Sequence, residues 1–217
     1  MTTIENTTSK TFRCDVLVIG GGIAGLLSAI RARDYVERVI LVDKAFAGKN
    51  SQSSLSAAQT VVAPPGTDID AWVKDLVVTG DYAAHQDIFY DVLQHSYEYL
   101  KNLERWGVEY QKDKKTGDFL YLKSRGTNLV KTTRHLGKAF GESSGGEAVV
   151  MAYRKKALTK KVDIISRVYA ESLLTDAKGN VIGAFGFDTR TGQSYTILAR
   201  AVILAAGGCS FRGDMAH

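Results

Sequence analysis

Proline and cysteine are scarce in this sequence, with two of each among 217 residues. Two prolines leave no material for a rigid proline-rich linker. Cys14 and Cys209 lie far apart and form no C-x-x-C pair. That argues against a disulfide scaffold and a zinc site, and it points to a reducing, cytoplasmic compartment. No apolar run approaches the ~18 residues that a membrane span requires. Residues 1–13 are polar and lack the apolar stretch of a secretory signal. No Ser/His/Asp set and no metal-spaced His/Cys/Asp/Glu cluster stands out, so no metal is expected. The aromatic and basic interleaving of a nucleic-acid platform is missing too.

What is present is ordinary for a globular domain: 45% apolar and 24% charged residues, at a length that fits one large domain. Glycine is the exception, at 21 residues against a usual ~7% of a chain. The net charge of +5 is unevenly spread. Residues 101–161 hold 15 Lys and Arg against 6 Asp and Glu, and the remainder holds 13 against 17. The basic middle reads as a solvated face, with an anionic substrate or an acidic partner as the functional alternative. His135, beside Arg134, falls within it. His85 reads as a surface or capping residue.

Residues 14–19, Cys-Asp-Val-Leu-Val-Ile, form a short apolar run with β-branched residues. Such a run reads as a strand buried on both faces of a parallel sheet. Residues 23–33 place Leu26, Leu27 and Ile30 at helical spacing, and residues 38–42 form a second apolar strand closed by Asp43. Residues 12–44 are therefore a βαβ unit. Residues 45–67 read as a long polar loop with one short helix. Helices are expected over 68–79, with Ile69, Trp72, Val73 and Leu76 on one face, and over 85–106, with Ile88, Phe89, Val92, Leu93, Leu100 and Leu103 recurring and Gly107 as the stop. A hairpin over 108–121 turns at Lys114-Lys115-Thr116-Gly117, and a helix starting near Ser143 runs to about Lys160. Together 68–160 make a mostly helical insertion. A third buried strand covers 162–166. Residues 171–175, 181–188 and 194–198 form an antiparallel meander within 170–200, and 201–206 form a last strand ending in Gly207-Gly208.

Gly20, Gly22 and Gly25 make G-x-G-x-x-G between the first strand and first helix. The first glycine permits the turn, the second admits a pyrophosphate to the backbone, and the third lets helix pack on strand. The helix N-terminus presents free N–H groups to an anion. Asp43, at the end of the second strand, can accept hydrogen bonds from a ribose diol and disfavours a 2′-phosphate. The chain therefore reads as dinucleotide-binding. Its long polar loop, helical insertion and meander depart from the plain βα alternation of an NAD domain.

These residues, with Leu41-Val42-Asp43-Lys44, the loop Ser54…Ala58-Gln59, the helix end Leu103-Glu104-Arg105-Trp106-Gly107-Val108, Val181-Ile182-Gly183-Ala184 and Ala205-Ala206-Gly207-Gly208, resemble the N-terminal part of the fumarate reductase and succinate dehydrogenase flavoprotein superfamily. That group includes L-aspartate oxidase and the adenylylsulfate reductase alpha subunit. Thr189-Arg190-Thr191-Gly192 and the 114–117 turn look most like the last of these. The resemblance implies an α/β fold: an FAD-binding, Rossmann-like parallel sheet of the glutathione reductase type, an antiparallel β-meander and a helical insertion. It also implies one FAD-binding domain over 1–217, with a capping domain and returning segment that carry the substrate-binding residues lying beyond it. No catalytic residue is assigned.

By the same resemblance, Gly20, Gly22, Ile23, Ala24 and Gly25 would cradle the FAD pyrophosphate. Asp43 and Lys44 would meet the adenosine ribose, and Ala170 would offer its backbone to adenine. Ser53, Ser54, Ala57, Ala58 and Gln59 would line the flavin, and Ala206 and Gly207 would pass close to it. Ser54 stands where the succinate dehydrogenase branch has the histidine that binds flavin covalently, so noncovalent FAD is expected. Family members have Gly-Gly after the glutamine, and this chain has Thr60-Val61. Cys209 reads as a small packed residue beside this region. The expected function is an FAD-dependent oxidoreductase acting on an anionic small molecule. Its expected partner is an iron–sulfur subunit or the remainder of a larger flavoprotein, and a peripheral place at the inner membrane through a partner is the alternative to a free cytoplasmic one. The alternatives are an FAD-binding electron carrier without a substrate site and an NAD-linked enzyme.

Overall fold

The computed structural model describes residues 9–56, 59–136 and 146–208. These divide into two compact units. One comprises residues 1–55 and 153–217, and the other residues 56–152.

The first unit is a mixed α/β sheet built outward from the βαβ start. Strand β1 (Lys10–Ile19), helix α1 (Ile23–Ala32) and strand β2 (Val39–Asp43) are followed at a distance by β6 (Asp163–Ser166), β7 (Val168–Thr175), β8 (Val181–Asp188) and β9 (Ser194–Leu204). Their order is β6-β2-β1-β9-β8-β7. The first four are mutually parallel; β8 pairs antiparallel with β9, and β7 antiparallel with β8. Val39, Ile40, Leu41 and Val42 are all essentially inaccessible, as a strand covered on both faces must be. Leu17, Ile40, Val42, Val168, Ala184 and Ile197 form a core that runs from the parallel strands into the meander.

The sequence pattern suggests two strands over 194–206. The structure has one, the 11-residue β9. Its first half pairs antiparallel with β8, from Phe187↔Ser194 to Gly183↔Leu198, while β1 pairs parallel along its length, from Lys10↔Tyr195 to Ile19↔Leu204. Ala199 and Arg200 carry no turn chemistry, so the strand continues and joins meander to parallel sheet.

The second unit holds α3 (Ile69–Thr79), α4 (Gln86–Arg105) and a small sheet, β3 (Gln59–Val61), β4 (Leu122–Lys123) and β5 (Lys131–Arg134), in the order β3-β5-β4. Helix α5 (Glu147–Thr159) crosses from this unit into the first. A short helix α2 (Gln52–Leu55) precedes β3, in the first unit. Asp68 caps α3, accepting from the Ala71 N–H at 3.0 Å. Gly107 ends α4 with φ +93°, its N–H reaching the Glu104 carbonyl while the Val108 N–H reaches Leu103. That is the Schellman arrangement, with Leu103 and Val108 both buried.

The buried stripe of α4 is Leu93, Ser96, Leu100 and Leu103. Ile88 and Val92 are more than half exposed, contrary to the periodicity reading, because the 3-4-3 steps through Ser96 turn them outward. Ser96 is buried because its Oγ accepts from the Ala63 N–H at 2.9 Å and donates to the Leu93 carbonyl. The 108–121 hairpin is reduced to a turn closed by one bridge, Lys112↔Phe119, while 109–111 pairs instead toward Arg134 and Leu136. His135 is buried rather than solvated. Burial holds its imidazole below the ordinary pKa, and its ring stands perpendicular to that of Tyr110.

Asp75 is a buried carboxylate that the apolar reading of α3 did not single out. It accepts from the backbone N–H groups of Asn128 and Leu129 at 2.8 and 2.7 Å. These bonds hold its pKa below the usual carboxylate value. Replacing Asp75 with Ala leaves two amides without their acceptor and is expected to cost about 2 kcal/mol in a urea melt. Because the folded pKa is lowered, this stabilisation is fully present above the ordinary carboxylate pKa. It is lost as pH falls through the folded value, and the variant's melt should lack that acid-limb dependence.

Among the described residues, no helix is long and apolar enough to cross a membrane, and no group of His, Cys, Asp and Glu could hold a metal ion.

Candidate dinucleotide site

Strands β1, β2 and β9 end side by side, and residues 20–25, 43–48 and 205–207 follow from their carboxyl ends. This is where open α/β sheets bind ligands. Gly20 leaves β1 with φ +115°, donating its N–H to the Val42 carbonyl at 2.8 Å. A β-carbon at Gly20 would stand 2.2 Å from the Ala205 carbonyl oxygen. One at Gly25 would stand 1.8 Å from the Gly20 carbonyl oxygen, and one at Gly21 would stand 2.6 Å from the Ala47 β-carbon. At these three positions the protein's own packing demands glycine.

Gly22 differs. Its backbone is extended, with φ −77° and ψ −172°, and it begins α1 as a cap with no side chain to satisfy the helix's first N–H groups. A β-carbon there would meet nothing nearer than Ser51 Cβ at 3.5 Å, an ordinary contact. No acidic residue occupies the first turn of α1. The amides of Ile23, Ala24 and Gly25 begin this helix, so they form a donor set with a positive dipole end and no fixed counter-charge.

Asp43 is already engaged in shaping the turn. Its Oδ2 accepts from the Gly21 N–H at 2.6 Å and its Oδ1 from the Ala45 N–H at 2.7 Å. Each oxygen keeps a further acceptor position, so the carboxylate can serve both the loop and a diol. Lys44 is exposed, and its carbonyl accepts from Thr189 Oγ1. Ala170, on β7, packs against the core cluster containing Val42, one residue before Asp43.

The serine loop has a structural logic of its own. Ser51 Oγ accepts from the Ser54 N–H at 3.3 Å while the Ser51 N–H donates to Ser54 Oγ at 3.0 Å, a capping box with serine in the glutamate position. Ser54 Oγ also contacts the Lys49 and Ser51 carbonyls at 2.5 and 2.7 Å, and the residue is buried. Ser53 is half-buried, its Oγ 3.8 Å from where a Gly22 β-carbon would lie. Arg154, on α5, places its guanidinium 4.6 Å from the centre of the Phe46 ring and packs on the 45–51 segment.

Ala206 and Gly207 are exposed, with Gly207 at φ +87°. Gln59 belongs to the second unit, where it is exposed at the start of β3 opposite Arg134. Ala57, Ala58 and Cys209 lie outside the described residues. The structure thus gathers Gly20, Gly22, Ile23, Ala24, Gly25, Asp43 and Ser53 with Ala205 in one unit. Motif reading passed over Ala47, whose close approach to Gly21 fixes the loop. The run of three glycines was the one sequence signal for it. Cys14 is buried in β1 and its thiol is pushed up to about 11, so it is un-ionised and chemically quiet.

A family model described as FAD binding domain matches residues 15–217. L-aspartate oxidase of Pseudomonas aeruginosa is 29% identical over 215 residues, covering 93% of this chain and 38% of that protein. The fumarate reductase flavoprotein subunit of Mycobacterium tuberculosis is 28% identical over 198 residues, covering 90% and 33%. A solved quinol fumarate reductase of E. coli superposes with a TM-score of 0.77 at 22% identity, over 92% of this chain and 33% of that one, a likeness of fold. The chain spans about a third of the length of the curated relatives it matches.

Proposed function

The chain belongs to the FAD binding domain family, within the fumarate reductase and succinate dehydrogenase flavoprotein superfamily, and from that premise we propose that it holds FAD noncovalently as the cofactor-binding part of an oxidoreductase. The observation that carries the site is Gly22. Glycine stands there with no atom of the described residues to require it, directly before helix amides that lack a capping side chain. A diphosphate against that backbone accounts for both.

In this reading the amides of Ile23, Ala24 and Gly25 donate to the diphosphate, and Gly20 and Gly25 hold the turn and helix that aim them. The Asp43 oxygens accept from the adenosine ribose, with Lys44 beside it and the Ala170 backbone at the adenine edge. Ser53 and Ser54 line the flavin ring, and Ala206 and Gly207 pass against the cofactor. Bound FAD would supply hydride or electron transfer to or from a substrate. The chain's residues position it and exclude water from its charged bridge.

Noncovalent attachment is supported by Ser54, which replaces the attaching histidine of the covalent branch and has its hydroxyl taken up within its own loop. An anionic substrate and an iron–sulfur partner belong to the same proposal. The basic balance of residues 101–161 supports the first, although part of that charge is spent internally: Lys101 and Lys112 both pair with Glu104.

The purified chain is expected to be yellow, with flavin absorption bands, and acid precipitation should leave the colour in the supernatant as free FAD. A colourless chain that takes up no added FAD would overturn the cofactor assignment. Flavin remaining with the precipitated protein would overturn the noncovalent mode alone.

A further inference from the structure

Arg154 carries a charge that its surroundings leave unanswered. It is half-buried on α5, and its Nε is enclosed by the chain's own atoms without a hydrogen-bond partner. Among the described residues no carboxylate pairs with the guanidinium, which rests 4.6 Å from the centre of the Phe46 ring. Lys49 Nζ lies 5.8 Å from the centre of the same ring, so two cations share it. A cation drawn out of water destabilises the fold unless an anion faces it, and an aromatic face is a weak substitute for one. The direction of the side chain is set by α5. Just past the end of this helix, the Lys160 carbonyl accepts from Arg33 Nε at 2.9 Å, at the C-terminal end of α1 and so at the amino ends of the strands. Helical side chains lean toward the helix N-terminus, so Arg154 points the other way, to the carboxyl ends, where Phe46 follows β2. The segment it rests on is the one that closes over the glycine turn. Ala47 packs against Gly21, the Gly48 N–H donates to the Gly21 carbonyl at 2.9 Å, and Ser51 stands nearest Gly22.

We propose that Arg154 is a cofactor-binding residue, its guanidinium pairing with the diphosphate of bound FAD and resting on Phe46 in the cofactor-free protein. This builds on the cofactor reading above and supplies the charge that reading lacks. Each phosphate of the bridge is negative, whereas the start of α1 offers only about half an elementary positive charge. An arginine fork fits phosphate oxygens in a bidentate manner, and such a pair is far stronger than the ring contact it replaces. The arginines of α1 and its C-cap are already engaged. Arg31 pairs with Asp34, and Arg33 donates to the Val36 and Lys160 carbonyls. Lys44 stands at the adenosine end, beside Asp43. Arg154 is thus a residue that the fold tolerates and the ligand uses, the counterpart in charge of what Gly22 is in space.

The test is a titration of the purified chain with FAD at low and high salt, comparing Arg154→Met, Arg154→Gln and Arg154→Lys. The Met and Gln variants should bind FAD roughly tenfold to a hundredfold more weakly, the fold-change that a hydrogen bond to a charged group carries, with the Lys variant between them and the parent. Rising salt should weaken the parent's binding more steeply than the Met variant's. In competition against FAD, ADP should lose affinity for the Met variant by a similar factor, and adenosine, which has no phosphate, should lose none. Without cofactor the Met variant should melt no lower than the parent, because an apolar side chain replaces an unanswered charge. Equal FAD affinity in the parent and the Met variant overturns the proposal, as does a loss that adenosine shares. Should the Met variant melt early, the polar pair decides: equal losses in Gln and Lys overturn the proposal, and a smaller loss in Lys upholds it. A parent that binds no FAD overturns instead the cofactor reading on which the proposal rests.

Discussion

Gly22→Ala should fold and melt like the parent chain yet bind FAD at least tenfold more weakly, in the range of about 1.4–3 kcal/mol of lost binding energy. The reasoning turns on what the added methyl would touch. Within the protein it meets Ser51 and Ser53 atoms at 3.5–3.8 Å, ordinary contact distances, and the extended backbone at Gly22 suits any residue. The apo-protein's stability should therefore move by less than about 0.5 kcal/mol, as at an unconstrained surface position. In the holo-protein the same methyl would stand where the diphosphate closes on the first amides of α1. The two measurements are a denaturant melt without cofactor and a fluorescence titration with FAD. An unchanged affinity would remove the diphosphate from Gly22. A collapsed apo-protein would mean that packing, not ligand, selects this glycine.

Gly25→Ala is expected to do the reverse, with a loss of fold of about 3 kcal/mol or more that added FAD does not restore. Its β-carbon would lie 1.8 Å from the Gly20 carbonyl oxygen and 3.3 Å from the Ala205 β-carbon. The first neighbour is backbone and cannot swing aside, so α1 must lift off the ends of β1 and β9. Overpacking a close helix–strand contact typically costs 1–3 kcal/mol, and a backbone overlap this deep falls at or beyond the upper end. Against a usual domain stability of about 5–15 kcal/mol this is a large share. A falling yield of soluble protein and an early melting transition are the readouts. A variant as stable as the parent would show that the close approach of α1 to Gly20 is not required.

Much of the fold was legible where neighbours in sequence are neighbours in space. The run Cys14 to Ile19, the glycine turn, the spacing of Leu26 and Ile30, and the apolar β2 specified a βαβ unit because each is a local decision of turn, cap or period. The Gly107 stop was legible for the same reason. Less legible were the features that depend on distant partners. Asp75 sits on an apolar helix face because the amides of Asn128 and Leu129 wait for it. Ser96 replaces an apolar residue in the α4 stripe because Ala63 needs an acceptor. Strand β9 runs unbroken because β1 pairs with it throughout, a condition its own residues do not announce. In the loop over 51–54, the family resemblance implied flavin contact for Ser53 and Ser54. The structure shows Ser51 and Ser54 spending much of their hydrogen bonding on each other and on their own turn.

By itself the sequence determined where the glycines fall and that a strand, a turn and a helix surround them. Tertiary structure alone sorted them. Gly20, Gly21 and Gly25 are glycines because strand, loop and helix crowd them, and Gly22 is one although none of the described residues crowds it. A missing side chain reads the same in sequence whatever takes its space. Only the position of the surrounding atoms decides whether that space belongs to the fold or is left for a ligand.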